Sequence, residues 1–202
     1  DEAHMQKLLA INTSVARVLV WIGGALLIAS AFMVTLDVLL RDFVGVTLGG
    51  ADEMSGYVFA ISTAWALPYA LICRTNVRID ALYLLVGERF RSVLDIFGLI
   101  LLGAFIFPLT WRVWWMLEDS YKFWTKSITP LQTPVAIPQT LWFAGLLLLC
   151  LTLLLIVIMS LTRLVRGDDV GVRELAGART IDEETQESLS SSGSSSPISA
   201  DR

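Results

Sequence analysis

Residues 138–161 read PQTLWFAGLLLLCLTLLLIVIMSL, a run that opens on proline and carries no Asp, Glu, Lys, Arg or His. A helix needs about 20 apolar residues to cross ~30 Å of hydrocarbon, and this run supplies them. Three comparable runs precede it, Val18 to Leu40, Met54 to Cys73 and Val93 to Leu117. Each is bounded by charge or by Pro and Gly, and in each the apolar residues are continuous rather than alternating. In lipid the backbone must satisfy its hydrogen bonds internally, which leaves helices or closed barrels, and continuous runs select helices. The fold class expected is an all-α integral membrane protein with four transmembrane helices. Residues 1–17 then form an N-terminal segment, 18–162 the membrane domain and 163–202 a tail.

Composition points the same way. Hydrophobic residues make up 55% and charged residues 17% of the chain, against the ~45–50% apolar content of an average soluble domain. The net charge of -4 arises from 15 basic and 19 acidic residues. Much of the acid lies in the tail, and no nucleic-acid partner is implied. After Arg166 the chain turns acidic and then Ser-rich, from Ser188 to Ser196. Too few apolar residues remain there to offset ordering entropy, so disorder is expected from about residue 168.

Several sharper readings fail on the residues themselves. The opening Asp1-Glu2-Ala3-His4 spells a helicase-like tetrapeptide, but the chain has no GxxxxGK[ST] loop to hold a nucleotide. The stretch from Arg17 to Ala29-Ser30-Ala31 has the features of a signal peptide. Its apolar run continues to Leu40, which favours a retained first helix. His4 is the only histidine, so paired-histidine haem ligation is excluded and a histidine-based metal site is not expected. Cys73 and Cys150 are read as packing residues. No cofactor and no enzymatic activity are expected.

Lys and Arg are retained on the cytoplasmic side of membrane proteins. Lys7 and Arg17 precede the first run, Arg74, Arg78, Arg89 and Arg91 separate the second from the third, and Arg163 and Arg166 follow the fourth. Opposite them stand Arg41, Lys122 and Lys126, with Arg112 near the end of its helix. Both termini are therefore expected in the cytoplasm. The outer face is acidic and aromatic, with Trp and Tyr at the usual interfacial depth.

Between the second and third runs, Asp80 is suited to cap a short helix over Ala81 to Val86, too short to span. That piece is expected to lie on the membrane surface, with its arginines at lipid headgroups. On the outer side Pro130, Pro134 and Pro138 recur at a spacing of four. They predict a stiff, extended lead-in to the fourth helix. Ionisable residues near the spans cluster at their ends. Asp37 and Arg41 are four apart and are expected to pair on one helix face, with Glu53 close enough to compete for Arg41. Arg112 sits among tryptophans, within reach of Glu118. None of these lies at mid-membrane, which favours structural or partner-docking roles over a transport relay.

The order of four helices, Arg41 closing the first, Glu53 opening the second, the Arg74 to Asp80 stretch, and Thr133-Pro134-Val135-Ala136-Ile137-Pro138 before the fourth resemble the small membrane subunit, DctQ type, of tripartite ATP-independent periplasmic (TRAP) transporters. The resemblance covers about residues 15 to 165. The chain departs from common members at Gly49-Gly50-Ala51, where a Trp is usual, and at Asn76, where His is usual.

This resemblance implies a three-part importer of the bacterial inner membrane. A periplasmic substrate-binding protein delivers a small substrate, often an organic acid, to a large polytopic subunit that moves it on an ion gradient. The small subunit acts as scaffold for the large one and helps receive the binding protein. Arg41, Glu53 and the segment from Pro130 to Pro138 would shape its outer side, and Arg78 and Asp80 would fix the surface helix. The absence of a central charge, a broken helix pair and an internal repeat agrees with a scaffold. An assembly subunit of another membrane complex is the alternative.

Overall fold

A computed structural model describes residues 2–74, 88–129, 131–166, 171 and 175. Four helices account for nearly all of them: α1 (Glu2–Phe43), α2 (Ala51–Ile72), α3 (Glu88–Lys122) and α4 (Ala136–Val165). All four are long and apolar enough to cross a membrane. The expected surface helix falls in residues 75–87, outside the described residues, as do Arg78 and Asp80.

The helices outrun the apolar segments that announce them. α1 holds 42 residues, roughly 60 Å at ~1.5 Å per residue, about twice the hydrocarbon thickness. Hydropathy marks where a helix meets lipid, not where its backbone hydrogen bonds stop.

α1 packs on α2, α2 on α4 and α4 on α3, with a smaller contact between α1 and α4. α2 and α4 thus form the centre, and α1 and α3 lie at the flanks. Each main crossing is set by a small residue, the usual device where lipid supplies no hydrophobic drive between helices. At α1–α2, a Cβ on Gly23 would stand 3.3 Å from Ser62 Cα, and the Ser62 hydroxyl donates to the Gly23 carbonyl at 3.0 Å. At α2–α4, a Cβ on Gly145 would meet Trp65 Cδ1 at 2.8 Å and Ala64 Cβ at 3.0 Å. Trp65 Nε1 also donates to the Leu141 carbonyl at 2.9 Å, which fixes that crossing in register. At α3–α4, Gly103 admits Leu153.

The main buried cluster joins Leu71 of α2, Ile96, Leu99 and Ile106 of α3, and Leu149, Leu153 and Ile156 of α4. A second cluster, Val113, Leu117, Phe143 and Leu146, joins α3 to α4 nearer their linking loop. Two buried threonines satisfy themselves on the helix backbone, Thr110 on Ile106 and Thr152 on Leu148. One buried contact links helices that are remote in sequence: Asn12 Nδ2 of α1 donates to Thr152 Oγ1 of α4 at 2.6 Å.

Candidate functional site

The most polar assembly among the described residues forms where the α1–α2 loop meets the α3–α4 loop, the end expected to face outward. It starts at Asp37, buried near the end of α1. Its carboxylate accepts from the Leu48 backbone N–H at 2.6 Å and from the Thr47 hydroxyl at 3.1 Å. Gly45 and Gly49 both hold φ of 71°, left-handed conformations that glycine adopts without penalty. They turn the loop so that its donors point back at Asp37.

The expected pair between Asp37 and Arg41 is not formed. Helical spacing brings the two to one face, but the loop donors satisfy the Asp37 carboxylate, and among the described residues Arg41 makes no ion pair. Arg41 lies in the last turn of α1, where a cation interacts favourably with the helix C-terminus. Nor does Glu53 compete for it.

Glu53 and Asp52 stand in the first turn of α2, whose N-cap, Gly50, offers no side chain. Acidic residues suit that position. Glu53 is held from two elements at once. Tyr57, one turn along α2, donates its hydroxyl at 2.8 Å, and Thr129 Oγ1 of the α3–α4 loop donates to the other carboxylate oxygen. Ser127 and Thr133 of the same loop face it as well. Beside this contact Leu131 presses on Gly50, in the space a Cβ would fill.

The α3–α4 loop is not the extended lead-in that its prolines predict. Lys126 and Pro134 form an antiparallel bridge, Ser127 N–H donates to the Thr133 carbonyl at 2.9 Å and Val135 N–H to that of Thr125 at 3.1 Å. The chain therefore doubles back. Gln132, at φ of 46°, sits in the reversal, and Trp124, also at 46°, turns the chain off the end of α3. Pro134 closes the bridge and Pro138 lies buried in the first turns of α4, where a missing N–H costs nothing. Pro130 is outside the described residues. Tyr121 and Thr140, joined at 2.9 Å, tie the end of α3 to the start of α4.

Arg112 stands apart from this assembly. Glu118, its expected partner, pairs instead with Lys122 at 2.6 Å. Arg112 lines an open cavity of about 460 Å³ on the flank of α3, facing Trp142 of α4.

Of the expected site residues, then, the loop end brings together Asp37, Glu53 and Pro134, with Arg41 and Pro138 at its edges. The residues that hold it together, Thr47, Tyr57, Thr129 and Leu131, are not singled out by the sequence. The one available signal is the set of hydroxyls, Ser127, Thr129 and Thr133, interleaved with the prolines. Among the described residues no group of three or more His, Cys, Asp or Glu could hold a metal ion.

The family model for the DctQ component of tripartite ATP-independent periplasmic transporters matches residues 30–164. That range begins within α1 and ends one residue before the end of α4, so it contains both loops of the site. Searches of curated proteins and of solved structures return no match.

Proposed function

The chain belongs to the DctQ family of TRAP transporter components, and on that premise we propose that it clamps the large membrane subunit and helps dock a substrate-binding protein. The observation that carries this reading is the uneven burial of the helices. In the most apolar 18 residues of each helix, α4 is 50% buried but α1 only 11%. Trp21 and Phe32 of α1, 77% and 73% exposed, are among many large apolar side chains that this chain leaves largely uncovered. The four helices thus bury one face of a slab and leave α1 open along its length. A larger polytopic subunit that covers this face accounts for the exposure and for the lack of a central charged relay.

The loop end suits the second role. The Glu53 to Thr129 contact makes one rigid platform of two loops, and Arg41, Asp42 and Asp52 present charge on it without ion pairs among the described residues. Lys and Arg lie mainly at the other end, which supports cytoplasmic termini in the bacterial inner membrane and a platform facing the periplasm. The cargo inferred from the family is a small organic acid, carried on an ion gradient by the large subunit.

Extraction of the full chain from its native membrane in mild detergent, through a tag at the end of the tail, tests the proposal. A large polytopic protein is expected to co-purify, and deletion of the chain is expected to abolish uptake of the cargo delivered by the cognate binding protein. Co-purification with subunits of a respiratory or other complex, with uptake intact, would overturn it.

A further inference from the structure

The cavity beside Arg112 has a shape and a charge pattern of its own. Along one face of α3 it runs from Leu109 to Asp119, ten residues or about 15 Å at ~1.5 Å per residue. Leu109 walls its inner end, and Val113 and Met116 line it between Arg112 and Asp119. Arg112 lies partway up, Asp119 at the mouth, and Trp142 of α4 closes one side.

Neither charge is held in an ion pair, although Asp119 also acts on nearby Lys122, whose ammonium is bound to Glu118. The two are seven residues apart on α3, and among the described residues no ion pair involves Arg112 or Asp119. An unpaired guanidinium at the edge of the hydrocarbon is costly and calls for an anion. Of the available anions, phosphate matches the guanidinium fork bidentately. Asp119, two turns nearer water, calls for a cation above that phosphate.

We propose that this cavity binds one zwitterionic phospholipid of the outer leaflet, its phosphate on Arg112, its primary ammonium on Asp119, its headgroup against Met116 and an acyl chain running inward past Leu109. A free headgroup does not suffice, because most of the cavity wall is apolar. Anionic lipids satisfy Arg112 but meet repulsion at Asp119. Phosphatidylcholine brings a quaternary ammonium that cannot donate a hydrogen bond to the carboxylate.

The site is independent of the partner reading and is tested on the full chain as purified. Native mass spectrometry after exchange into detergent with equal phosphatidylethanolamine, phosphatidylglycerol and phosphatidylcholine should show one phosphatidylethanolamine retained, preferred roughly tenfold as expected for a charge-assisted contact. Asp119→Asn should erase the preference over phosphatidylglycerol while keeping a bound lipid. Arg112→Gln should lose the retained lipid, and Arg112→Lys should restore part of it. Water-soluble glycerophosphoethanolamine should not compete. Both side chains are exposed, so the variants are expected to fold, as circular dichroism and gel filtration would verify. Equal retention of the three lipids by the unmodified chain, unchanged in the variants, would overturn the proposal, as would competition by the free headgroup.

Discussion

Thr129 donates its hydroxyl to the Glu53 carboxylate across 76 positions of sequence, and so fastens the α3–α4 loop to the first turn of α2. Two otherwise separate loops become one surface through this contact. Leu131 on Gly50 and Tyr57 on Glu53 reinforce it.

Removing either partner should release the loop. Glu53→Ala and Thr129→Val are each expected to lower the thermal midpoint in detergent and to expose residues 123–135 to protease. Because they break one shared contact, the double variant should be little worse than the worse single. Additive losses would show that the two side chains act separately.

At the α2–α4 crossing the limit is steric. A Cβ on Gly145 would stand 2.8 Å from Trp65 and 3.0 Å from Ala64, closer than side chains tolerate. Gly145→Val is expected to cost about 1–3 kcal/mol, the usual price of overpacking. It should also slow cross-linking between cysteines placed on α2 and α4. Gly24→Val, with open space around it, should be nearly neutral by both measures.

The buried contact between Asn12 and Thr152, 2.6 Å long, carries a different expectation. Asn12 Oδ1 has no hydrogen-bond partner, so the amide is only partly satisfied. Thr152→Val should destabilise by about 0.6–2 kcal/mol, leaving the amide unpaired. Pairing it with Asn12→Leu should recover most of that loss, since two apolar groups leave nothing unsatisfied. Thermal melts of the three variants in one detergent check the order.

Orientation is tested by labelling. Ile128→Cys, at a fully exposed position of the α3–α4 loop, should react with an impermeant maleimide on intact cells. Arg166→Cys should react only after permeabilisation. Cys73→Ala removes the half-buried native thiol from the background, and buried Cys150 stays unreactive. The reverse pattern would invert the topology.

How much of this was legible in the sequence depends on the range of the interaction. The four helices follow from uninterrupted apolar runs, a local property that lipid reads directly. Their ends do not, because α1 and α3 continue as helix into polar sequence. The pairing of Asp37 illustrates the limit at the site. Four-residue spacing to Arg41 is visible, whereas the competing donors of Thr47 and Leu48 exist only once Gly45 and Gly49 turn the loop. The same holds for the proline segment. Proline chemistry predicts extension, yet the chain leaves α3 through Trp124 and reverses through Gln132, both in left-handed conformations that neither residue type announces. The Glu53 to Thr129 contact is further still from sequence, since it depends on the packing of two helix pairs.

The central claim is that the open face of α1 is covered by a larger membrane subunit, and photo-cross-linking in native membranes tests it most directly. A photoreactive residue placed at Trp21 or Phe32, both among the most exposed side chains along that helix, should capture one large polytopic protein in high yield, and the same residue at buried Leu153 should capture none. Adducts with lipid alone at both exposed positions would contradict the account and leave these four helices without the partner their open face requires.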